Sequence, residues 1–205
     1  MHFAIEKVHS FSRNETLKRL MDIVFSLCGL VMLLPLIIVL SAGVLLSSEG
    51  PVLYTQERIG YLRRKFRIYK FRSMYVGAES NEPMLTSLND QRITKWGRFM
   101  RKWKFDEIPQ LWNVLVGDMS IVGPRPEREF FIIKLEALDH SFQQLLSVKP
   151  GLTSLGMIRF GYASNIAEMA QRIKFDLEYI EKRSLYLDLK IIGDTLKIIV
   201  AAKGK

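Results

Sequence analysis

The adjacent carboxylates Asp106 and Glu107 are the residues of this chain whose type and spacing best suit chemistry. Pro109 follows them, and because helices tolerate proline only in their first turn, the sequence predicts that the pair opens a helix. A helix start offers free N–H groups and a positive dipole end, which favour a bound phosphate. Basic residues flank the pair, with Arg98, Arg101, Lys102 and Lys104 before it and Arg125 and Arg128 after it. Carboxylates among cations at such a helix end indicate metal-assisted phosphoryl chemistry, and a simple Asp helix cap is the alternative.

Two further segments offer cations to the same chemistry. In Gly123-Pro124-Arg125-Pro126 the prolines restrict the backbone on both sides of Arg125, and a guanidinium aimed in this way suits bidentate binding of phosphate. The alternative for this segment is a structural turn. The stretch from Phe66 to Arg72 alternates apolar and basic residues, so one strand face would carry Arg67, or Lys70 with Arg72, unless it is simply a solvated face.

Composition limits the class of protein without choosing one. The 205 residues allow one domain of ordinary size, and the formal charge of +9 suits nucleic acid, an anionic membrane surface or a phosphorylated substrate. Cys28 is the single cysteine, which excludes a disulfide framework and a cysteine metal site within one chain. The three histidines are scattered, so a zinc site is not expected.

A long apolar run predicts a membrane element. No charged residue occurs from Ile23 to Ser48, a length of roughly 39 Å as a straight helix, compared with about 30 Å for the apolar core of a bilayer. The alternative is a fully buried core helix.

Pro35 interrupts this run and predicts a break in the helix. Basic residues lie on both sides of the run, with Lys18 and Arg19 before it and Arg58, Arg63, Arg64, Lys65 and Arg67 after it. Since basic residues prefer the cytoplasmic side, a helix that breaks and returns keeps both groups there. We therefore expect a re-entrant helix–break–helix over residues 20–48, and a plain kink in a spanning helix is the alternative.

The rest of the chain predicts short elements joined by turns. These are a hairpin of Val52–Tyr54 with Phe66–Phe71, a polar surface loop at Ala78–Asp90, a basic helix at Arg92–Lys102, a helix at Asp106–Val116 ended by Gly117, a helix at Glu127–Leu146 and a turn at Lys149–Thr153. Asn165 and Glu168 have capping-box spacing at the start of a further helix. The tail, Leu185–Ala202, is expected to pack on the domain or to lie on the membrane surface.

An ordered set of motifs resembles the bacterial sugar transferase family, the monotopic phosphoglycosyl transferases. After the apolar run with Pro35, the motifs are Gln56-Glu-Arg-Ile-Gly60, Tyr69-Lys-Phe-Arg-Ser-Met74, Asp106-Glu-Ile-Pro-Gln-Leu111, Gly117-Asp-Met-Ser120, Gly123-Pro-Arg-Pro126 and Lys149-Pro-Gly-Leu-Thr153. Each motif alone is weak, but the full set in this order is specific. The resemblance extends from about Lys18 to Thr195.

The resemblance implies transfer of a sugar 1-phosphate from a nucleotide diphosphate sugar, usually a UDP-sugar, to polyprenyl phosphate. UMP leaves, and the product starts an oligosaccharide for capsule, exopolysaccharide, O-antigen or glycoprotein assembly. We accordingly expect an α+β, predominantly helical fold in one catalytic unit, residues 1–205. It would comprise a re-entrant membrane helix at 20–48 and a cytoplasmic catalytic domain at 49–205, located at the bacterial inner membrane. The expected partners are the UDP-sugar, polyprenyl phosphate and membrane lipids but no nucleic acid, and a homodimer stays open.

The resemblance also assigns roles to single residues. Asp106 would be the nucleophile that forms an aspartyl phosphosugar intermediate, and the Asp106–Glu107 pair would hold Mg²⁺. Lys70, Arg101 and Arg125 would hold the diphosphate, and Arg72 is a further substrate-binding candidate. Asp176 matches an acidic position of the family and would assist the site, unless it belongs to a solvated helix face. Because neighbouring residues on a helix point apart, Asp106 and Glu107 are expected to do different work.

The chain departs from the family pattern in two places. Larger relatives carry several membrane helices and another domain upstream, whereas about 20 residues precede the apolar run here, as in a minimal enzyme or an excised catalytic unit. The segment Ser154–Tyr162 differs from the commoner Gly-Leu-Ala-Gln-Val followed by Gly-Arg, which leaves the choice of sugar open. A membrane-anchored nucleic-acid-binding module and a scaffold without catalysis are the alternatives to an enzyme.

Overall fold

The computed structural model describes residues 2–78 and 90–202, with side chains from residue 15 onward. This part of the chain is mostly helical and contains two small sheets, in agreement with the predicted α+β class. The helices are α1 (His2–Met32), α2 (Leu34–Ser47), α3 (Lys95–Lys102), α4 (Gln110–Val116), α5 (Glu129–Leu138), α6 (Leu155–Arg159), α7 (Ile166–Lys182) and α8 (Leu185–Val200). The strands are β1 (Leu53–Ile59), β2 (Lys65–Phe71), β3 (Ser120–Val122) and β4 (Gly151–Thr153). Except at its ends, the predicted loop at Ala78–Asp90 lies outside the described residues.

Helices α1 and α2 form a bent pair. The segments Glu15–Met32 and Leu34–Ser47 meet at 63°, with Pro35 in the first turn of α2. Within the described ranges no single helix is long and apolar enough to cross a bilayer, but these two segments together meet that criterion of length and composition. The predicted break is therefore present as a bend, while its origin in Pro35 and its location in a membrane stay predictions.

Lys18 of α1 is bonded to three other elements of the domain. Its ammonium contacts Asp188 Oδ2 of α8 at 2.6 Å, the Val122 carbonyl of β3 at 3.0 Å and the Tyr179 hydroxyl of α7 at 3.2 Å. The Tyr179 hydroxyl also donates to Asp188 Oδ1 at 2.7 Å. Because Asp188 and Tyr179 are each only 1–2% exposed, the cluster is a buried ion pair that fixes α1 to the domain.

Two more polar side chains extend this attachment along α1. Arg19 donates to the carbonyls of Val114 at 2.6 Å and Leu115 at 2.7 Å, in the last turn of α4. Asp22, one turn further along α1, accepts from the Ile121 backbone N–H at 2.9 Å. Polar residues near the start of the apolar run therefore hold the bent pair against α4 and β3.

The predicted hairpin is present with a longer first strand. Strands β1 and β2 are antiparallel, with Leu53 opposite Phe71 and Ile59 opposite Lys65. Asn113 of α4 joins the helix to this hairpin, because its amide donates to the Arg67 carbonyl at 2.7 Å and accepts from the Tyr69 N–H at 3.1 Å. The same residue is fully buried, so α4 and β2 have one fixed relation.

The predicted turn at Lys149–Thr153 is wrong, since Gly151–Thr153 forms β4, which pairs in parallel with β3. The Gly151 N–H donates to the Pro124 carbonyl at 2.8 Å, and a Cβ on Gly151 would collide with the backbone of Gly123. Glycine is therefore required where these two chain segments approach each other. The pairing places the Pro124-Arg125-Pro126 segment beside Pro150.

Several predicted helix limits also change. The helix at 92–102 begins only at Lys95, where the Thr94 hydroxyl accepts from the Gly97 N–H at 2.8 Å. The helix expected at 127–146 is α5 followed by a 3₁₀ segment, His140–Ser147. The Asn165–Glu168 capping box is confirmed, with the Glu168 N–H donating to Asn165 Oδ1 at 2.9 Å. Helix α8 packs on the domain, where Ile191 joins the core formed with Val114, Met119, Val122 and Tyr179.

Substitution of Asp188 by Asn tests the buried ion pair. The change removes the charge opposite Lys18 but keeps the size of the side chain, so we expect the free energy of unfolding to fall by about 3 kcal/mol. Thermal or denaturant unfolding of the detergent-solubilised protein measures this change. Glu178→Gln, which removes exposed ion pairs with Arg159 and Lys182, is the matched control and should lower stability much less, because solvent screens exposed charges. Equal stability of the two variants would contradict the role of the cluster.

Candidate active site

The carboxylate pair lies in a 3₁₀ turn before α4 and does not open that helix. The turn spans Phe105–Glu107 and is entered through Lys104, whose φ of 55° is in the left-handed region. Pro109 occupies the N-cap position of α4, and no side chain caps this helix. The predicted helix start at Asp106 is therefore wrong, and so is the alternative in which Asp106 is a helix cap. A bulky residue in a left-handed conformation is costly and is often found beside functional sites.

Glu107 is held by two cations from different parts of the chain. Its Oε1 lies 2.8 Å from Lys70 Nζ of β2 and 3.3 Å from Arg125 Nη2 of the Pro-Arg-Pro segment. Burial raises the pKa of Glu107, but the opposing effect of Lys70, Arg125 and Lys104 is larger and leaves the pKa well below its usual range. Glu107 is therefore an anion that orders the two cations.

Asp106 has a different environment, although it is the next residue. Among residues 15–78 and 90–202, no side chain forms a hydrogen bond or an ion pair with its carboxylate. Burial and, after it, the negative charge of Glu107 raise the pKa of Asp106, against the opposing effect of Lys70, Arg101 and Arg125. The two neighbouring carboxylates therefore have different environments, since Glu107 is held by two cations and Asp106 is not, and their division of catalytic work stays a prediction.

The two carboxylates and three of the predicted cations line one cavity of about 470 Å³. Lys70 and Arg125 line the cavity, and both are bound to Glu107. Arg101 of α3 also lines it, and its Nε donates to the Ser73 hydroxyl at 2.8 Å. Asn113 contributes indirectly, because it fixes α4, and with it the preceding turn, against the strand that carries Lys70. The structure thus brings together Asp106, Glu107, Lys70, Arg101 and Arg125.

Arg72 and Asp176 are placed differently from this group. Arg72 borders the cavity, but its guanidinium bonds the carbonyls of Ser48 and Glu49 at the end of α2. Asp176 is 1% exposed, which excludes the solvated helix face considered for it. Its Oδ1 accepts from the Gly156 N–H at 2.8 Å, and its carboxylate also accepts from the Arg125 backbone. Asp176 therefore supports the backbone of a site residue.

Three cavity residues were missed by the sequence analysis as members of a site: Arg58, Glu127 and Arg172. Arg58 had been counted only as a flanking positive charge. Arg58 lies on β1, two residues after Gln56 and four after Tyr54, and both of these residues line the cavity. Because every second residue of a strand points to the same face, this spacing was a signal available in the sequence. Arg172 lies far along the chain, and no local pattern connects it to Glu127.

The donor set of the pair is compatible with a magnesium ion. Within the described ranges no group of three or more His, Cys, Asp or Glu residues is arranged to hold a metal. Mg²⁺, however, is commonly bound by one or two carboxylates together with substrate phosphates and water. Both cations on Glu107 contact Oε1, which leaves Oε2 for a metal beside the Asp106 carboxylate.

Comparison with known proteins identifies relatives over nearly the whole chain. Residues 13–202 match the family described as bacterial sugar transferase. The chain is 36% identical over 92% of its length to the UDP-N-acetylgalactosamine-undecaprenyl-phosphate N-acetylgalactosaminephosphotransferase of Aeromonas hydrophila. It is 39% identical over 87% of its length to the UDP-glucose:undecaprenyl-phosphate glucose-1-phosphate transferase of Klebsiella pneumoniae. It spans 44% and 39% of these two proteins, respectively. A putative undecaprenyl-phosphate N-acetylgalactosaminyl 1-phosphate transferase of Bacillus subtilis is 43% identical over 70% of the chain and 84% of that protein.

The buried position of Asp176 predicts a specific pH dependence of stability. Burial raises the pKa of Asp176 from 3.8 to about 6, so the folded protein binds this proton more tightly than the unfolded chain does. The free energy of unfolding should therefore decrease by about 3 kcal/mol through this residue as the pH rises from about 4 to about 6. Asp176→Asn keeps an acceptor for Gly156 and cannot ionise, so the difference between wild type and variant should follow this curve. Parallel stability curves for the two proteins, measured by unfolding at each pH, would contradict the prediction.

Proposed function

Because the chain belongs to the bacterial sugar transferase family, we propose that it transfers a sugar 1-phosphate from a UDP-sugar to undecaprenyl phosphate and releases UMP. The observation that carries the proposal is the contrast within the carboxylate pair. Within the described residues Asp106 forms no ion pair, and it lines a cavity with Lys70, Arg101 and Arg125, whereas Glu107 restrains two of these cations. The names of two relatives, which specify UDP-sugars and undecaprenyl phosphate, support the substrate class.

In the first step an Asp106 oxygen attacks the phosphorus that carries the sugar. The bond between this phosphorus and the bridging oxygen of the diphosphate breaks, and UMP leaves with the electron pair. The sugar phosphate remains on Asp106 as an aspartyl phosphosugar. Lys70 and Arg125, ordered by Glu107, and Arg101, ordered by Ser73, stabilise the charge that develops on the phosphate oxygens.

In the second step an oxygen of undecaprenyl phosphate attacks the same phosphorus and releases the Asp106 carboxylate. Two steps have a physical advantage here, because the aqueous and the lipid substrate never need to occupy the cavity together. The burial that raises the pKa of Asp106 also removes water from its carboxylate, and a less solvated carboxylate is a better nucleophile.

Mg²⁺ is the proposed cofactor, and Asp106 and Glu107 are the residues that would hold it. When bound, it would neutralise charge on the diphosphate and polarise its oxygens towards attack. The restraint of Glu107 by Lys70 and Arg125 would keep this ligand in place during both steps.

We further propose that α1 and α2 form a re-entrant element of the bacterial inner membrane and that residues 49–205 lie in the cytoplasm. The pair leaves large apolar side chains uncovered around the bend, including Val31 at 65% exposure, and Leu46 near its end at 89%. Burial of such side chains in a bilayer is favourable, while the polar contacts of Lys18, Arg19 and Asp22 keep the start of the pair on the domain. The catalytic pair would then lie near the lipid surface, within reach of a membrane-bound acceptor.

The variant Asp106→Asn tests the proposed nucleophile. We expect UMP release from the UDP-sugar to fall by about four orders of magnitude or more, because the amide cannot form the phosphosugar intermediate. A coupled assay of UMP with a panel of UDP-sugars, Mg²⁺ and undecaprenyl phosphate measures this loss. Asp194→Asn, on the exposed surface of α8, is the matched control and should keep wild-type turnover.

Isotope exchange then separates the two-step route from direct transfer. Labelled UMP should enter the UDP-sugar pool without undecaprenyl phosphate in the wild type and not in Asp106→Asn. Substantial turnover by the folded variant would remove Asp106 as nucleophile. Failure of the wild type to release UMP from any sugar donor would overturn the enzyme proposal.

Cysteine labelling tests the re-entrant topology. In a Cys28→Ser background, single cysteines are placed at Thr16 before the bent pair and at Glu49 after it. An impermeant maleimide should modify both positions from the cytoplasmic side, while a cysteine at Leu34, near the bend, should be protected from both sides. Modification of positions 16 and 49 from opposite sides would show that the pair spans the membrane.

A further inference from the structure

A second cluster of charges lies in the wall of the catalytic cavity, around Glu127. Arg172 Nη2 contacts Glu127 Oε1 at 2.5 Å, and Arg58 Nη1 contacts Glu127 Oε2 at 3.4 Å. Arg58 also donates to Gln56 Oε1 at 2.6 Å and to the Pro126 carbonyl at 3.0 Å. Arg172 is 4% exposed and Glu127 is 7% exposed, so these positions are set by the fold. The three residues form an arginine–carboxylate–arginine triad on the cavity wall.

The triad extends along the hairpin away from Lys70, and its Glu127 lies two residues after Arg125, which binds Glu107. Lys70, which binds Glu107, is opposite Tyr54 in the hairpin, and Arg58 lies four residues further along β1. Four residues of a strand extend about 13 Å. A nucleotide whose diphosphate is held at Lys70 and Arg125 can therefore reach the triad with its base, since all of these residues line the same cavity.

Apolar side chains line the cavity near the triad. Three apolar residues belong to one hydrophobic cluster and also border the cavity: Phe131 of α5, Ala163 in the segment before α7, and Met169 of α7. A planar ring can contact such side chains with its face while its edge meets polar groups. The surroundings thus suit a heterocyclic base better than a second phosphate.

From this arrangement we infer that Arg58, Glu127 and Arg172 recognise the base of the nucleotide donor and select uracil. The inference rests on the proposed function in taking a nucleotide sugar as substrate. The triad presents a donor, an acceptor and a donor in that order, because guanidinium groups only donate and a carboxylate only accepts. Uracil presents the complement, with carbonyl acceptors at C2 and C4 on either side of the N3–H donor. Cytosine would place its N3 acceptor against Glu127 and its amino group against an arginine.

The triad retains hydrogen-bonding capacity for such a ligand. The Nε–H groups of Arg58 and Arg172 are buried and have no acceptor within the described part of the chain. Each Glu127 oxygen accepts one of these arginine bonds and retains a further lone pair. Burial lowers the pKa of Arg58 to about 10, with Arg125 and Arg128 adding repulsion against the attraction of Glu127. Each guanidinium carries five N–H groups, more than its bonds to Glu127, Gln56 and Pro126 use, so a base with two carbonyl oxygens would accept from those that face the cavity.

Binding of nucleotides to the wild-type protein gives the first test, which needs no variant. UMP, CMP and 3-methyluridine monophosphate are compared in calorimetry and as inhibitors of UDP-sugar turnover. UMP should bind about tenfold or more tightly than either analogue, because each analogue leaves Glu127 without its N–H partner. Equal affinity for all three nucleotides would overturn the inference.

Glu127→Gln provides the second test, with Glu129→Gln as its matched control two residues along the chain. Glu129 is 46% exposed and pairs with Lys65 outside the cavity, so its variant should keep the wild-type selectivity. Glu127→Gln should reduce the ratio of UMP to CMP affinity about tenfold, since an amide can donate to the N3 atom of cytosine. A folded Glu127→Gln protein with the wild-type ratio would show that the triad only supports the fold.

The two proposals fail in distinguishable ways. Sugar phosphate transfer without nucleotide selectivity at Glu127 would refute the triad as a base-recognition site and leave the catalytic assignment intact. Selective binding of UMP without transfer would support the triad and refute the catalytic assignment.

Discussion

Glu107 Oε1 is the atom on which the geometry of the site depends, because it joins three segments that are distant in sequence. It belongs to the turn before α4, and it binds Lys70 of β2 and Arg125 of the Pro-Arg-Pro segment. A buried carboxylate requires such partners, and two buried cations require such a carboxylate. The requirement fixes the distance between the hairpin and the Pro-Arg-Pro segment. It also gives the two neighbouring carboxylates different environments, since Glu107 and not Asp106 holds these cations.

The positions of the Glu107 turn, Lys70 and Arg125 are fixed by residues that do not themselves contact Glu107 Oε1. Asn113 fixes α4 to β2 through two backbone bonds, and the Gly123–Gly151 approach fixes the Pro-Arg-Pro segment to β4. Asp176 accepts hydrogen bonds from Gly156 and from the Arg125 backbone. Each support is a buried hydrogen bond or a close backbone contact, so the cations have little freedom to move towards Asp106. An active carboxylate can then stay free of ion pairs in a strongly basic cavity.

Sequence analysis predicted the elements whose determinants are local and missed those whose determinants are distant. The hairpin and the Asn165–Glu168 cap follow from alternation and spacing within a few residues, and a bend is present where a break was expected, although its origin in Pro35 stays a prediction. The turn predicted at Lys149–Thr153 is a strand only because β3 lies beside it, and no local pattern contains that pairing. The Glu127–Arg172 contact likewise depends on the packing of α7 against α5. That Asp106 and Glu107 differ in environment was predictable because the two residues are neighbours, whereas their 3₁₀ conformation depends on Lys104 in a left-handed conformation.

The attachment of α1 connects the bent helix pair to the same site. Lys18 donates to the carbonyl of Val122, and Arg125 follows only three residues later through Gly123 and Pro124. Because Pro124 restricts this short path, a displacement of α1 relative to β3 would shift the guanidinium that binds Glu107. The buried charge of Asp188 resists such a displacement, since separation from Lys18 would leave it unpaired. The position of the apolar helix pair and the geometry of the cavity are therefore mechanically linked, because the contacts that hold α1 on β3 also set the start of the short path to the guanidinium that binds Glu107.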